Sequence, residues 1–281
     1  VTRALKKDYQ VSKSYAMVEM IDVQSQPDHR NLRIDKVGVK NISYPITVKD
    51  KAKGSQRTVA SINMFVDLPK HHKGTHMSRF IDILSEYRRQ ISIENIQNIL
   101  EEMKRRLNAQ SAHMEITFPY FIEKEAPISK AKGLMEYICT FKGSVNKNRD
   151  LIVGLSVPVT TVCPCSREIS DFGAHNQRGE VRVQVRFKKF IWIEDLIELV
   201  EKSASSEVFS MLKRADEKFV TEKAYMNPMF VEDLVREIAV KLDADENITW
   251  FSVDSENFES IHKHSAYAYI ERNKQGTPVG T

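Results

Sequence analysis

Cysteine is scarce in this 281-residue sequence: Cys139, Cys163 and Cys165 are the only three, too few for a disulfide framework. A reducing cytoplasm is the compartment they suggest. Ten glycines and nine prolines exclude collagen-like and low-complexity material. No stretch approaches the roughly 18–20 apolar residues that a membrane span needs. The first twenty residues, VTRALKKDYQVSKSYAMVEM, lack the apolar run of a secretory signal. Motif absences narrow the chemistry further. There is no GxxxxGK[ST], and no two glycines stand two apart, so GxGxxG cannot occur. P-loop and Rossmann nucleotide sites are thereby excluded. GxSxG and HExxH are absent as well. Charge of one sign is nearly balanced, 42 Lys+Arg against 38 Asp+Glu, a net +4. That balance does not demand nucleic acid and suits a polyanionic small molecule equally well.

What is present is ordinary for a folded chain, with 41% hydrophobic and 28% charged residues. Residues 1–30 read as a polar N-terminal arm. VGVKNISYPITV and RTVASINMFVDL read as strands joined by the turn-rich KDKAKGSQ, a hairpin pattern. A loop crowded with His and Lys, PKHHKGTHMS, follows. Helices are expected over about 78–89 and 92–108, the second with Ser92 as N-cap. HMEITFPYFI and MEYICTFKGSV read as two more strands. The second half starts with LIVGLSVPVTTV, an echo of VGVKNISYPIT. EVRVQVRF alternates cleanly, with Val181, Val183, Val185 and Phe187 on one face. A helix begins near Trp192, and another at Asn227-Pro228 as N-cap and first turn, carrying Val231, Leu234, Val235, Ile238 and Leu242. ITWFSVDSENF and SAYAYIER close the chain as strands. The coarse order is β-β-α-α-β-β twice, with units at 31–149 and 150–281. It predicts two four-stranded antiparallel sheets, each with helices on one face.

The densest chemistry lies in TTVCPCSREISDFGAHNQRGE. Cys163 and Cys165 precede His175 by 12 and 10 residues. Thiolate and imidazole are natural ligands for a borderline divalent ion. The blander reading is that free cysteines are small buried hydrophobes. In IHKHSAYA, His262 and His264 share one face if the segment is extended; a solvated strand edge is the alternative. The His71, His72 and His76 loop, with Lys70, Lys73 and Arg79, either meets phosphates or is solvated. Glu217 and Glu232 fall on helical stretches, where a solvated face is the usual explanation. Glu232 stands beside an apolar stripe.

Five segments in this order resemble GTP cyclohydrolase IB: DKVGVKNISYPI, LPKHHKGTHMSRF, TTVCPCSREISDFGAHNQR, YMNPMFVED and IHKHSAYA. The resemblance runs over most of the chain. It implies an α+β tandem tunnelling fold (T-fold), assembling into β-barrels between subunits of a homotetramer with interfacial active sites. The implied reaction is metal-dependent hydrolysis of GTP to 7,8-dihydroneopterin triphosphate and formate, the first step towards tetrahydrofolate. By motif position, Cys163, His175, Glu217 and His262 match the metal ligands. One divalent ion (Zn, Mn or Fe) is implied. Glu232 matches the glutamate that anchors guanine, where a carboxylate accepts from N1–H and the amino group. A histidine, His264 or one from the 71–76 loop, would protonate N7. The triphosphate would meet Lys and Arg of that loop, Arg178 or Lys263, from the same subunit or a neighbour. Cys165 is the alternative thiol, pointing with Cys163 in an extended Cys-Pro-Cys.

Two rivals share the implied superfamily: a nitrile reductase with a cysteine nucleophile and NADPH, and a urate oxidase using neither metal nor cysteine. Neither accounts for Cys163, His175, Glu217 and His262 together. An archaeal-type branch giving a cyclic phosphate is a closer alternative. A non-catalytic nucleotide or RNA-binding module is the alternative outside enzymes. Against it, the aromatics are not interleaved with basic residues as stacking platforms are. Neither nucleic acid nor membrane is an expected partner.

Overall fold

The computed structural model describes residues 22–24, 26–87 and 91–274. Most of the expected N-terminal arm, residues 1–21, lies outside them. From residue 22 the chain is docked: Lys73 and Gly74 donate backbone N–H to the carbonyls of Gln26 and Gln24, both 3.1 Å, and Pro27 bridges His72.

The strands are β1 (Ile34–Asp50), β2 (Gly54–Leu68), β3 (Ala112–Glu125), β4 (Lys132–Val145), β5 (Arg149–Val162), β6 (Asn176–Phe187), β7 (Ser206–Glu207), β8 (Ile248–Phe258) and β9 (Ala266–Asn273). The helices are α1 (Met77–Glu86), α2 (Ile96–Leu107), α3 (Pro164–Ile169), α4 (Ile193–Glu201), α5 (Arg214–Met226) and α6 (Val231–Ala244). β1 and β2 turn at Gly54, whose φ of +80° suits a residue without Cβ.

The expected pair of four-stranded sheets in a tandem T-fold is not what forms. Among the described residues, all nine strands make one antiparallel sheet, ordered β1-β2-β3-β4-β5-β6-β8-β9, with β7 attached to β5. The two halves fuse because β4 and β5 are joined by the short turn 146–148 and pair from Val145↔Arg149 to Ile138↔Ser156. The second half also departs from a β-β-α-α-β-β repeat, since α3, α4 and β7 interrupt it.

One face of the sheet is aliphatic and lies under the helices. Ile62, Met64, Ile116, Phe118, Val157, Val183 and Val253 join Ile99, Leu100, Ile197, Leu234 and Ile238 in one core cluster. Burial of each such side chain contributes about 1.5–3 kcal/mol. The other face is polar and carries ion pairs, Arg182–Asp254 and Arg186–Asp150, both 2.7 Å.

Helix ends differ from the sequence expectation in physical detail. α1 closes at Glu86, with residues 88–90 outside the described chain. α2 starts at Ile96 because Ser92 to Asn95 form a turn, Asn95 N–H donating to Ser92 O at 3.1 Å. Asn227-Pro228 does not open α6. Asn227 ends α5 and donates its side-chain amide to Ala204 O, 3.1 Å; α6 begins three residues later, after Phe230.

Candidate active site at one end of the sheet

Antiparallel pairing brings three chain segments to one end of the sheet. β5 ends at Val162, beside the start of β6 at Asn176, and Arg178 of β6 pairs with Phe258 at the end of β8. Cys163, His175 and the 259–265 loop with His262 and His264 therefore leave the sheet from three neighbouring strand ends. Cys163 and His175 are adjacent through the backbone, Cys163 N–H to His175 O, 3.2 Å.

The end of β5 is pinned on both sides. Val162 accepts from Met229 N–H at 3.0 Å and donates its own N–H to Ser205 Oγ at 3.2 Å. The first contact sets the 227–230 segment, and so the start of α6 with Glu232, beside Cys163. The Arg167 guanidinium over the Tyr225 ring, 4.8 Å, links α3 to the end of α5. α5 packs on β5 and β7 and carries Glu217 in its first turn.

Pro164 fixes the local geometry of the thiols. Cys163 keeps an extended backbone (φ −69°, ψ 119°) as the residue before α3, while Pro164 opens the helix. The expected extended Cys-Pro-Cys does not form. Cys165 sits inside α3, exposed, out of line with the half-buried Cys163. Cys139 lies in the core on β4, where burial first, and then Glu194, pushes its thiol pKa up and leaves it inert.

His175, Glu217, Glu232, His262 and His264 are all exposed. Among the described residues, no three His, Cys, Asp or Glu side chains converge closely enough to hold a metal ion. His262 and His264 do not lie on a strand; their rings stack on each other, centroids 5.7 Å apart and 13° from parallel. Their loop is tied back where Ser265 Oγ donates to Glu256 at 2.6 Å. The His/Lys loop 69–76 leaves β2 at the opposite end of the sheet, three strands from β5. Within one chain it cannot share a site with Cys163.

Several supporting residues carry no motif signal. Asp216, wholly buried beside Glu217, accepts from Ile128 N–H, Ser129 N–H and Lys213 N–H, each 2.8 Å, and from Ser129 Oγ at 2.6 Å. Burial alone would push its pKa up. The hydrogen bonds, led by the Ser129 hydroxyl, outweigh that and hold it far below the usual carboxylate range. The turn between β3 and β4 is thus fastened to the start of α5. Upstream, Glu201 accepts from Lys124 and from the Tyr137 hydroxyl, both 2.7 Å.

Among the described residues, one antiparallel sheet backed by helices, with thiol, imidazole and carboxylate side chains on segments leaving one end, defines an α+β protein. The family described as type I GTP cyclohydrolase FolE2 matches residues 20–268, and the chain belongs to that family. The IB designation expected from the motifs is narrower than this match establishes. A protein from Syntrophus aciditrophicus named GTP cyclohydrolase FolE2 is 64% identical over 254 residues, covering 90% of this chain and 100% of the relative. One of the same name from Syntrophobacter fumaroxidans is 62% identical over 257 residues, 91% of this chain and 100% of the relative. Among solved structures, a hyperthermostable mutant of Bacillus sp. TB-90 urate oxidase aligns with a TM-score of 0.51 at 10% identity, over 87% of this chain and 100% of that one. A uricase from Bacillus fastidious gives 0.52 at 8%, over 88% and 94%. At such identities the likeness concerns the fold alone. No helix among the described residues is long and apolar enough to cross a membrane.

Proposed function

We propose that this chain is a GTP cyclohydrolase of folate biosynthesis, opening the guanine imidazole ring of GTP to give 7,8-dihydroneopterin triphosphate and formate. The observation that carries the reading is the meeting of Cys163, His175, the His262–His264 loop and the start of α6 at the ends of β5, β6 and β8. Glu232, exposed in the first turn of α6, is free to accept the N1–H and amino group of guanine as a charge-assisted pair.

The donor set fits a divalent ion. Cys163, His175 and Glu217 make no side-chain hydrogen bond or ion pair with the described residues, and mixed S, N and O ligands suit Zn²⁺, Mn²⁺ or Fe²⁺. Cys163, His175, Glu217 and His262 would hold it. Such an ion would supply Lewis acidity and bring the pKa of water from 15.7 towards about 7. We assign the proton delivered to N7 to His264, which stacks on His262, with a histidine of the 71–76 loop of a second copy as the alternative.

The triphosphate needs cations, and Arg178 and Lys263 are at this end of the sheet. Lys70 and Lys73 are at the far end, so their part in the site requires a second copy of the chain. Exposed Ile169, Phe172, Met226 and Ile261 around the site suit a subunit contact. A cytoplasmic homotetramer accommodates both features. Cys163→Ala is the test: turnover of GTP is abolished while circular dichroism and oligomer size stay unchanged. A variant with full activity would remove Cys163 from the site.

A further inference from the structure

On three adjacent strands the buried face changes from aliphatic to polar at the end that bears the candidate site. β5 runs Val157, Val159, Thr161; β6, read towards the same end, runs Val181, Gly179, Gln177; β8 runs Val253, Ser255, Asn257. Relative exposures are 0% for Thr161, 7% for Gln177, 0% for Ser255 and 1% for Asn257. Thr161 and Gln177 are cross-strand partners, Asn257 partners Gly179, and Ser255 partners Val181, so the four form one contiguous patch. Asn257 lies across Gly179, where an added Cβ would meet its Oδ1 at 2.8 Å.

Each of the four has an oxygen with no hydrogen-bond partner among the described residues: Thr161 Oγ1, Gln177 Oε1, Ser255 Oγ and Asn257 Oδ1. A buried polar atom without a partner costs stability, and four side by side compound that cost. The candidate ligands stand two residues further along the same chain runs: Cys163 after Thr161, His175 before Gln177. The extended backbone of Cys163 continues the alternation that puts it on the face of Thr161.

We propose that Thr161 and Gln177, with Asn257 and Ser255 extending the layer towards the 259–265 loop, are positioning residues for the metal ligands Cys163 and His175. The inference rests on the ligand reading given under the proposed function. Neither oxygen is hydrogen-bonded to a ligand side chain in this structure. Once Cys163 and His175 hold an ion, the Cys163 thiolate would offer the Thr161 hydroxyl an acceptor. The His175 ring N–H would offer Gln177 Oε1 a donor, fixing the tautomer and leaving the other ring nitrogen for the ion. The layer lies two residues inside the ligand positions on β5 and β6, and its role is to orient those ligands rather than to bind the ion or substrate.

The test uses the whole 281-residue chain and Co²⁺ as probe, with Thr161→Val and Gln177→Met as near-isosteric variants. Co²⁺ dissociation constants come from chelator competition, and the thiolate-to-Co²⁺ absorption band reports the Cys163 contact. The expected result is a 10–100-fold weaker Co²⁺ affinity in each variant, the size of effect that loss of an outer partner produces. The urea midpoint of the metal-free protein should be unchanged or raised, because an unpartnered buried oxygen has been removed. Thr161→Ser keeps the hydroxyl and should bind Co²⁺ as the parent does. Affinities within twofold of the parent in both variants, with lowered urea midpoints, would overturn the proposal: the oxygens would then be served by fixed internal water and be purely structural. Cys163→Ala, run alongside, separates the two levels. If it loses Co²⁺ while the isosteric variants keep it, the positioning role alone fails; if it too binds as the parent, the ligand reading fails and takes the inference with it.

Discussion

Asp216 holds the first turn of α5 to the turn between β3 and β4 through three hydrogen bonds and caps its own helix through a fourth, from Lys213 N–H; Glu217 is its neighbour in sequence. Because its folded pKa is depressed, proton binding favours the unfolded chain. Its contribution is fully present above the ordinary aspartate pKa of about 3.9 and is lost as pH falls from there towards the folded value. Asp216→Asn should therefore lower the urea midpoint at pH 7, with the gap to the parent constant down to about pH 5 and narrowing below about pH 4. A gap that widens on acidification would contradict this account of the residue. At this scale the sequence is readable where residues carry unusual chemistry, as with Cys163 and His175. It is silent on Asp216, one of many acidic residues on a helix, since its partners Ile128 and Ser129 lie almost ninety residues away. The polar patch was partly legible. Thr161, Gln177, Ser255 and Asn257 each break an aliphatic alternation at a core-facing position, a signal that emerges once the three strands are known to be neighbours.

Elements were legible where a single periodicity runs unopposed. β6 alternates as Val181, Val183 and Val185 require, and α6 buries Leu234, Val235, Ile238 and Leu242 as its 3.6-residue spacing demands. Their ends were not, because capping residues have more than one use. Asn227, well suited to start a helix, instead closes α5 and bonds to Ala204 O. Pro164, which in an extended reading aligns the two thiols, opens α3 and separates them. Packing of elements on the sheet also depends on residues that look neutral in sequence. Gly143 of β4 lies directly beneath α2, and a Cβ there would meet Ile96 Cγ2 at 2.4 Å and Leu100 Cδ1 at 2.9 Å. Gly143→Ala should push α2 off the sheet and lower unfolding stability by about 1–3 kcal/mol, read from urea denaturation. No loss would mean that α2 can shift without strain.

For the whole molecule, local pattern marks strands but does not decide which strands pair. Two four-stranded sheets and one continuous sheet use the same alternating segments. The deciding feature is the short turn at 146–148, closed by Asn148 N–H to Asn146 Oδ1 at 2.8 Å, which joins β4 to β5 as a hairpin. The continuous sheet has a functional consequence. It places the Lys70–Lys73 loop and the Cys163 end on opposite sides of one chain, so an active site using both is built from two copies. The most direct test of the account is the product made from GTP by the intact protein. The chain is stripped of metal and supplied with GTP and Zn²⁺, Mn²⁺ or Fe²⁺ in turn under reducing conditions, and pterin and formate are quantified together. Equal amounts of formate and a pterin with the mass of 7,8-dihydroneopterin triphosphate are expected, and only with metal added. A cyclic phosphate in its place would correct the product, and a folded oligomer that releases neither formate nor pterin with any metal would contradict the central claim.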